Sequence, residues 1–318
     1  MRDSLTDQDP QILAFSRVVH EANPDVLVLA GIDWDLKGHA LAALADRIGE
    51  YPYRFSARPN RGIDSGLDLN GNGRWGEPDD AFGFGEFGGQ EGLAVLSRLP
   101  FDREGWRDFS LLDWRNLPEA LLLPGEGPAG RLSTTAHWDL PVILPDGELL
   151  NLLMWHATPP VFDGPEDRNG RRNHDETAFW LSYLNGAFGR PPRLFILLGA
   201  ANLDPEDSGG RPEALIALLS DPRITDVAPR SEGSVATSVR DAGANVFQAG
   251  DHSLDTVDWP DDPGQPGNLR VDYILPSSNL AVTAAGVFWP EPGAPITSDV
   301  ERASRHRLVW VDILLGTE

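Results

Sequence analysis

Hydrophobic residues follow two patterns along the chain, one typical of helices and one typical of buried strands. From Asp9 to Ala22 they recur with a helical period, and Asp9-Pro10 supplies an N-cap followed by a first-turn proline. Residues 26–30 instead form a continuous apolar run, as expected of a central strand covered on both faces. Further helices are predicted over Leu36–Tyr51, Thr177–Ala187 and Arg211–Ser220, and further buried strands over Leu93–Ser97, Leu149–Trp155, Leu194–Leu198, Val271–Pro276 and Leu308–Leu314.

These elements alternate without an internal repeat or a linker boundary, so we expect one domain over residues 1–318. The uneven spacing of the strands argues against a barrel of equal units. No glycine-rich phosphate loop follows a strand, which disfavours a doubly wound parallel sheet. The pattern therefore predicts a four-layer α/β sandwich, with two packed mixed sheets flanked by helices.

The formal charge of −23, with Lys37 as the single lysine, makes the chain strongly acidic. Such a surface repels polyanions, and the arginine-dense stretch Arg168–Arg172 is short. Nucleic acid is therefore disfavoured as a partner, and a small-molecule phosphoester or another small ligand fits better. We expect a monomer.

Other classes of site are limited by residues that the sequence lacks. The absence of cysteine excludes disulfides, thiolate metal sites and cysteine nucleophiles. No apolar run is long enough to span a bilayer. The first residues, Met1-Arg2-Asp3-Ser4, contain no apolar segment of the signal-peptide type, although a secreted or periplasmic parent could have lost its leader. The localisation stays open.

Three stretches carry a family resemblance. Gly267–Pro276 and Ser304–Asp312 resemble the closing strands of the endonuclease/exonuclease/phosphatase (DNase I-like) superfamily, and Thr158–Glu176 resembles a bacterial subgroup of metal-dependent phosphoesterases. The resemblance extends from Asp9 to Ile313. It implies hydrolysis of a phosphomonoester or phosphodiester, in which Mg²⁺ polarises the phosphoryl group and a histidine activates water. Nothing before Asp9 resembles the family's first strand, so that strand is predicted to be missing.

The resemblance assigns roles to four residues of this chain. His306, just before the last strand, would be the base that activates water. His156 and Asn202 would contact the phosphate, and Asp272 would support the site.

The same resemblance implies that three acidic positions of the family have changed. Gly31 stands where a glutamate would bind Mg²⁺, and Ala200 where an aspartate would orient the base. Arg305 replaces the aspartate before the final histidine, so a cation stands where the carboxylate partner of that histidine is expected. The resemblance therefore implies that Mg²⁺ binding is doubtful and that native activity is weak or lost.

These small residues also predict a different use of the site. Ala30, Gly31 and Ala200 would leave an enlarged cavity, with Trp155 as an apolar wall and Arg305 as a hydrogen-bond donor. Such a cavity suits a small anion or an aromatic ligand. A natural pseudoenzyme, a re-engineered binding scaffold and a designed reaction with a histidine base all remain open.

A second candidate metal site lies in the segment Asp68-Leu69-Asn70-Gly71-Asn72-Gly73-Arg74. Oxygen side chains at alternate positions and the Arg74 carbonyl fit the start of a calcium loop, with Asp79 at its last ligand position. The alternative is an Asn-Gly turn that requires no ion.

Overall fold

The computed structural model describes residues 9–123 and 130–315. These residues form six α-helices: α1 Pro10–Ala22, α2 His39–Ile48, α3 Arg168–Leu184, α4 Glu213–Leu219, α5 Glu232–Asp241 and α6 Thr297–Ala303. They also form twelve strands: β1 Val26–Ile32, β2 Tyr53–Ser56, β3 Gly92–Ser97, β4 Arg107–Asp108, β5 His137–Ile143, β6 Leu149–His156, β7 Phe195–Ala200, β8 Val257–Asp258, β9 Asn268–Leu269, β10 Asp272–Pro276, β11 Ala281–Phe288 and β12 Leu308–Leu314.

The first helix forms as its sequence predicts. The Asp9 carboxylate accepts hydrogen bonds from the backbone amides of Gln11 and Ile12, which satisfies two of the free donors at the start of α1. Asn23 adopts a left-handed conformation after the last turn and donates its N–H to the Val19 carbonyl. Both ends of the helix are therefore fixed locally.

Helix α3 begins at Arg168, well before the predicted start at Thr177. Its first turns bury charged side chains. Arg172 donates to the Leu132 carbonyl at 2.8 Å, and the Glu176 carboxylate accepts from the backbone amide of Thr134 at 2.6 Å. A helix with a buried polar face has no hydrophobic periodicity there, so the sequence pattern could not reveal it.

The strands form two main sheets. The first is antiparallel, with the strand order β1-β3-β2. The second is mixed, with the order β10-β7-β6-β5-β4, and β6 pairs with β7 in parallel. Two smaller pairs, β11-β12 and β8-β9, complete the strand pairing.

Side chains from both sheets build the core between them, including Phe55 and Val95 of the first sheet and Leu152 and Met154 of the second. Helices α1 and α2 cover the outer face of β1 and β3. Helices α3 and α4 cover the outer face of the second sheet. The order helix, sheet, sheet, helix confirms the predicted four-layer sandwich.

Within residues 9–123 and 130–315, no helix is long and apolar enough to cross a membrane. The expectation about a missing first strand concerns residues before Asp9, which lie outside the described part of the chain.

Candidate functional site

Three positions singled out in the sequence lie in one row across the second sheet. His156 of β6 is paired with Ala200 of β7, and Ala200 is paired with Asp272 of β10. Because side chains alternate along a strand, His156 lies on the same face as Leu152 and Met154, the face turned toward the first sheet. The row therefore stands at the strand ends, on the inner face of the sandwich.

His306 joins this row through a hydrogen bond. Its Nδ1 lies 2.8 Å from the Asp272 Oδ2 atom, and the Thr256 hydroxyl lies 3.1 Å from the same oxygen. The Trp259 ring meets the imidazole edge-on, with 5.9 Å between ring centroids. The expectation that Arg305 leaves His306 without a carboxylate partner was wrong, because Asp272 reaches the imidazole from a neighbouring strand.

This contact changes the charge that His306 carries. Burial disfavours the imidazolium, but the adjacent Asp272 carboxylate and its hydrogen bond outweigh burial, so the pKa of His306 is raised above its ordinary value. The side chain is 38% exposed. At neutral pH His306 therefore holds a proton for a larger fraction of the time than a free histidine does, and a protonated imidazole attracts anions.

His156 has the opposite character. Burial, followed by the positive charges of Arg61 and His306, lowers the pKa of His156 to about 3. Its Nδ1 is buried and has no hydrogen-bond partner among the described residues. His156 is therefore a neutral imidazole at physiological pH, with one ring nitrogen that the surrounding protein leaves unsatisfied.

Asn202 follows β7 and is almost completely buried. It adopts a left-handed conformation with φ 52°, and its side-chain amide donates to the Ala157 carbonyl at 2.7 Å. Asn173, which the sequence analysis did not identify, donates to the carbonyls of Thr158 and Ala201, both at 2.7 Å. These two amides fix the loops after β6 and β7, so Asn202 has a positioning role here.

The positions where the resemblance implies a metal-binding glutamate and a base-orienting aspartate carry no carboxylate. Ala30 and Gly31 are exposed at a bulge in β1, where Gly31 has φ 81°, and Ala200 is buried in the middle of the row. Among the described residues, no group of three or more histidine, aspartate or glutamate side chains is arranged to hold a metal ion. The residues around Gly31 therefore do not fit the Mg²⁺ site that the family resemblance implies.

Two residues assigned to the cavity lie elsewhere. Trp155 is fully buried and packs 6.3 Å from the ring of Trp180 in α3. It precedes His156 on the strand and so faces the helices, which makes the predicted apolar wall wrong. Arg305 is exposed, and its guanidinium lies 3.4 Å from the Asp258 carbonyl.

An arginine that the sequence analysis missed lies near His156. Arg61 forms an ion pair of 2.6 Å with Glu91, and its charge contributes to the low pKa of His156. Asn60, the preceding residue, is buried and donates to the carbonyls of Ser110 and Ser133. No motif marks Arg61, since it belongs to an irregular loop that only the folded chain brings to the site.

The predicted calcium loop uses many of its oxygens internally. The Asp68 carboxylate accepts from the amides of Asn72 and Gly73, and the Asn70 side chain also accepts from the Asn72 amide. The Asn72 side chain accepts from the Arg74 amide. These bonds are those of a tight Asn-Gly turn.

The loop is closed by a residue next to the predicted one. Asp79 is exposed, whereas Asp80 is completely buried. The Asp80 carboxylate accepts from the backbone amides of Leu69, at 2.8 Å, and Glu77, at 3.3 Å. Calcium binding at this loop stays a prediction.

Comparisons with known proteins agree with this architecture. The chain matches the model of the Endonuclease/Exonuclease/phosphatase family over residues 2–306. A comparison with curated proteins gave no match. A family protein from Beutenbergia cavernae is 17% identical, with a TM-score of 0.56 over 98% of this chain and 67% of its own.

Two further solved structures are similar. A family protein from Leptotrichia buccalis is 17% identical, with a TM-score of 0.53 over 98% of this chain and 96% of its own. The mannosyl-6-phosphatase of Bacteroides thetaiotaomicron is 15% identical, with a TM-score of 0.51 over 96% of this chain and 90% of its own. From the family match and the architecture together, the chain belongs to the Endonuclease/Exonuclease/phosphatase family.

Proposed function

We propose that the chain binds a small phosphate compound at the row of His156, Ala200 and Asp272, and that its metal-dependent phosphoesterase activity is weak or lost. The observation that carries this proposal is a contrast within one site. The His306–Asp272 pair is intact at 2.8 Å, whereas Gly31 and Ala200 contribute no carboxylate. The histidine and aspartate that could bind an anion and transfer a proton are present, whereas the carboxylate that would bind a divalent cation is replaced by Gly31.

The charges of the site favour an anionic guest. The raised pKa of His306 increases its positive charge near neutral pH, and neutral His156 can donate one hydrogen bond to a phosphoryl oxygen. A phosphate group could therefore be held between two imidazoles. The strongly negative chain as a whole still disfavours nucleic acid, so the proposed ligand is small.

The chain also retains part of a hydrolytic apparatus. When deprotonated, His306 can accept a proton from water, and Asp272 would stabilise the imidazolium that forms. In this family Mg²⁺ supplies polarisation of the phosphoryl group. Because Gly31 does not provide the metal ligand and Ala200 does not provide the carboxylate that would orient the base, we expect proton transfer by His306 alone to give slow turnover at most.

Two earlier alternatives have different support. A pseudoenzyme that binds an anion agrees with the site, whereas an aromatic ligand loses its proposed wall because Trp155 packs under helix α3. A designed histidine-base reaction would use the same His306 and has no separate support. Calcium at the loop from Asp68 to Asp80 would have a structural role and would take no part in phosphate binding or hydrolysis.

Hydrolysis of an aryl phosphodiester and an aryl phosphomonoester, with Mg²⁺ or Mn²⁺ and then with EDTA, tests the proposal. We expect little turnover that EDTA removes. Calorimetric titration with inorganic phosphate in EDTA should show binding, and His306→Ala should weaken it. Robust EDTA-sensitive turnover would refute the loss of the metal site.

A further inference from the structure

Arg61 is held on a backbone segment that cannot shift easily. The amide of Gly89 donates to the Arg61 carbonyl at 3.3 Å. Gly62 has φ 70°, and a Cβ atom there would fall 1.9 Å from the carbonyl oxygen of Phe87. The two loops therefore pack too closely for any side chain at position 62, and this contact fixes the start of the Arg61 side chain.

The partner of Arg61 lies at the end of the first sheet. Glu91 has φ 46°, an unfavourable conformation for a residue other than glycine, and its amide donates to the Asp33 carboxylate at 3.2 Å. The next residue, Gly92, pairs with Ile32 across the bulge at Gly31. Glu91 is thus fixed beside the strand end where the family resemblance places a metal-binding glutamate.

The guanidinium of Arg61 is not fully satisfied by this partner. The arginine side chain is 18% exposed and that of Glu91 is 42% exposed. The Nε atom of Arg61 is buried without a hydrogen-bond partner in residues 9–123 and 130–315. A buried donor without an acceptor is unfavourable, so Glu91 leaves the guanidinium incompletely paired, and the exposed part of the side chain can receive an added oxyanion.

Arg61 is also close to the histidine row. The amide of Asn60, the residue before Arg61, donates to the Thr135 carbonyl at 2.9 Å, and the hydroxyl of the adjacent Thr134 lies 3.5 Å from the His156 carbonyl. In agreement with these contacts, the positive charges of Arg61 and His306 contribute to the low pKa of His156, whose Nδ1 is unpartnered as well. Two buried nitrogen atoms without a hydrogen-bond partner, one on the Arg61 loop and one at the end of β6, thus lie at the same end of the sandwich.

We propose that Arg61 is the cation that receives a terminal phosphate group in this site, and that Glu91 competes with the ligand for it. This inference rests on the proposed function and narrows its ligand to free phosphate or a phosphate monoester. An arginine can donate two parallel N–H bonds to an oxyanion and stays charged at any physiological pH. It would supply attraction for the phosphate without a divalent ion. A dianionic terminal phosphate gains more from Arg61 and His306 together than a monoanionic diester does.

The alternative cation in the sequence is Arg305, which offers a matched comparison. Both are arginines in loops, but Arg305 is exposed and lies against the Asp258 carbonyl, whereas Arg61 is largely buried beside His156. Calorimetric titration of the full chain with inorganic phosphate, in EDTA, should compare Arg61→Gln, Arg305→Gln, Glu91→Gln and His306→Ala with the unmodified protein.

We expect Arg61→Gln to weaken phosphate binding by about tenfold or more, because a charge-assisted hydrogen bond is lost. Arg305→Gln should leave the affinity unchanged. Glu91→Gln removes the competing carboxylate and should tighten binding by about two- to fivefold, the range for a partly exposed ion pair. Melting curves report whether each variant is folded.

The possible results distinguish failure of this inference from failure of the proposed function. If His306→Ala weakens binding while Arg61→Gln does not, the site binds phosphate but Arg61 is not its cation. If the unmodified chain fails to bind phosphate in EDTA, both ideas are refuted. If Arg61→Gln does not fold, Glu91→Gln decides the matter, and unchanged or weaker binding by that variant contradicts the role of Arg61.

Discussion

The chemistry of His306 depends on one neighbour. An isolated, partly buried histidine would have a lowered pKa, whereas the hydrogen bond and charge of Asp272 raise the pKa of His306 instead. Its sequence neighbour Arg305 has little influence by comparison, because that side chain turns toward the Asp258 carbonyl. The residue that determines the protonation state of this imidazole is thus distant in sequence and adjacent in the fold.

Asp272→Asn should therefore lower the pKa of His306. The amide keeps a polar partner at the same place but removes the negative charge that favours the imidazolium. Titration of the histidine side chains by NMR measures the shift directly. As a control, Asp113→Asn changes a carboxylate that pairs with Arg115, and it should leave the His306 titration unchanged. A His306 pKa that does not respond to Asp272→Asn would contradict the assigned pair.

Candidate site residues could be predicted from the sequence only where a family motif marks them. His156, Asn202, Asp272 and His306 lie at strand ends in family register, and the structure brings the histidines and Asp272 together. Arg61 lies in a loop without a motif, and only tertiary packing shows that its charge reaches His156.

Gly31 shows why restoring a metal ligand by one substitution should fail. Space is open around this position, but its φ of 81° is unfavourable for any side chain. We expect Gly31→Glu to lower the free energy of unfolding by about 1 kcal/mol or more and to restore no metal-dependent hydrolysis. Gly209→Glu is the matched control, since Gly209 also faces open space and has no such φ. Urea unfolding compares the two variants, and equal stability would contradict the strain at Gly31.

At the level of elements, the face of the strand on which a side chain lies decided which expectations were confirmed. A continuous apolar run predicted strand β6 correctly, but such a run does not reveal which side chains face the helices. Pairing with β7 and β5 settles that alternation and places Trp155 in the helix-facing core. Helix α3 was found only in part, because its first turns bury charged groups instead of apolar ones.

The loop from Asp68 to Asp80 allows a matched test of which aspartate closes it. Asp80→Ala removes a buried acceptor from two backbone amides and should destabilise the protein by about 2 kcal/mol. The exposed neighbour offers the control, since Asp79→Ala should stay within about 0.5 kcal/mol of the unmodified chain. Melting temperatures followed by circular dichroism give both values, and a larger effect at Asp79 would support the original calcium-loop register.

Calcium itself can be tested on the same loop. If the ion binds the folded state, the melting temperature should rise with millimolar free Ca²⁺, and Asp68→Ala should abolish that rise. A melting curve that does not change with calcium would leave the segment as the turn described by its internal hydrogen bonds.

For the whole molecule, the sequence predicted the four-layer architecture because each layer has its own pattern. Buried strands gave continuous apolar runs, and helices α1 and α2 gave a helical period that ends at local caps or glycines. Short strands such as β4, β8 and β9 could not be predicted, since two residues are too few to show any periodicity.

Two buried histidines make a contribution to stability that is lost in acid. Burial, partly offset by a hydrogen bond to the Glu176 carbonyl, lowers the pKa of His137 to about 4, and burial with nearby positive charges lowers that of His156 to about 3. Between these values and 6.5 the unfolded chain binds protons that the folded chain does not, so stability is lost as the pH falls below 6.5. The raised pKa of His306 acts in the opposite direction. It stabilises the folded chain at low pH, and this contribution to stability is lost as the pH rises through the folded-state pKa.

We expect each buried histidine to cost about 1–2 kcal/mol between pH 7 and pH 5. Urea unfolding at the two pH values measures the total, and His156→Gln should remove part of the difference if the variant folds. Burial raises the pKa of Asp255 to about 7 and also raises the pKa values of Asp139 and Glu176, so these carboxyl groups oppose the histidines over the same pH range. The decisive comparison is therefore between His156→Gln and the unmodified chain, and an equal pH dependence of unfolding in the two would contradict the burial of a neutral His156.

The most direct test of the central claim is a crystal structure of the chain soaked with Mn²⁺ and inorganic phosphate together, with anomalous scattering used to identify the metal. The account predicts phosphate density bounded by Arg61, His156 and His306, with no anomalous peak beside Gly31 and Ala200. A manganese peak at those strand ends, with no phosphate in contact with Arg61 or the histidines, would contradict it.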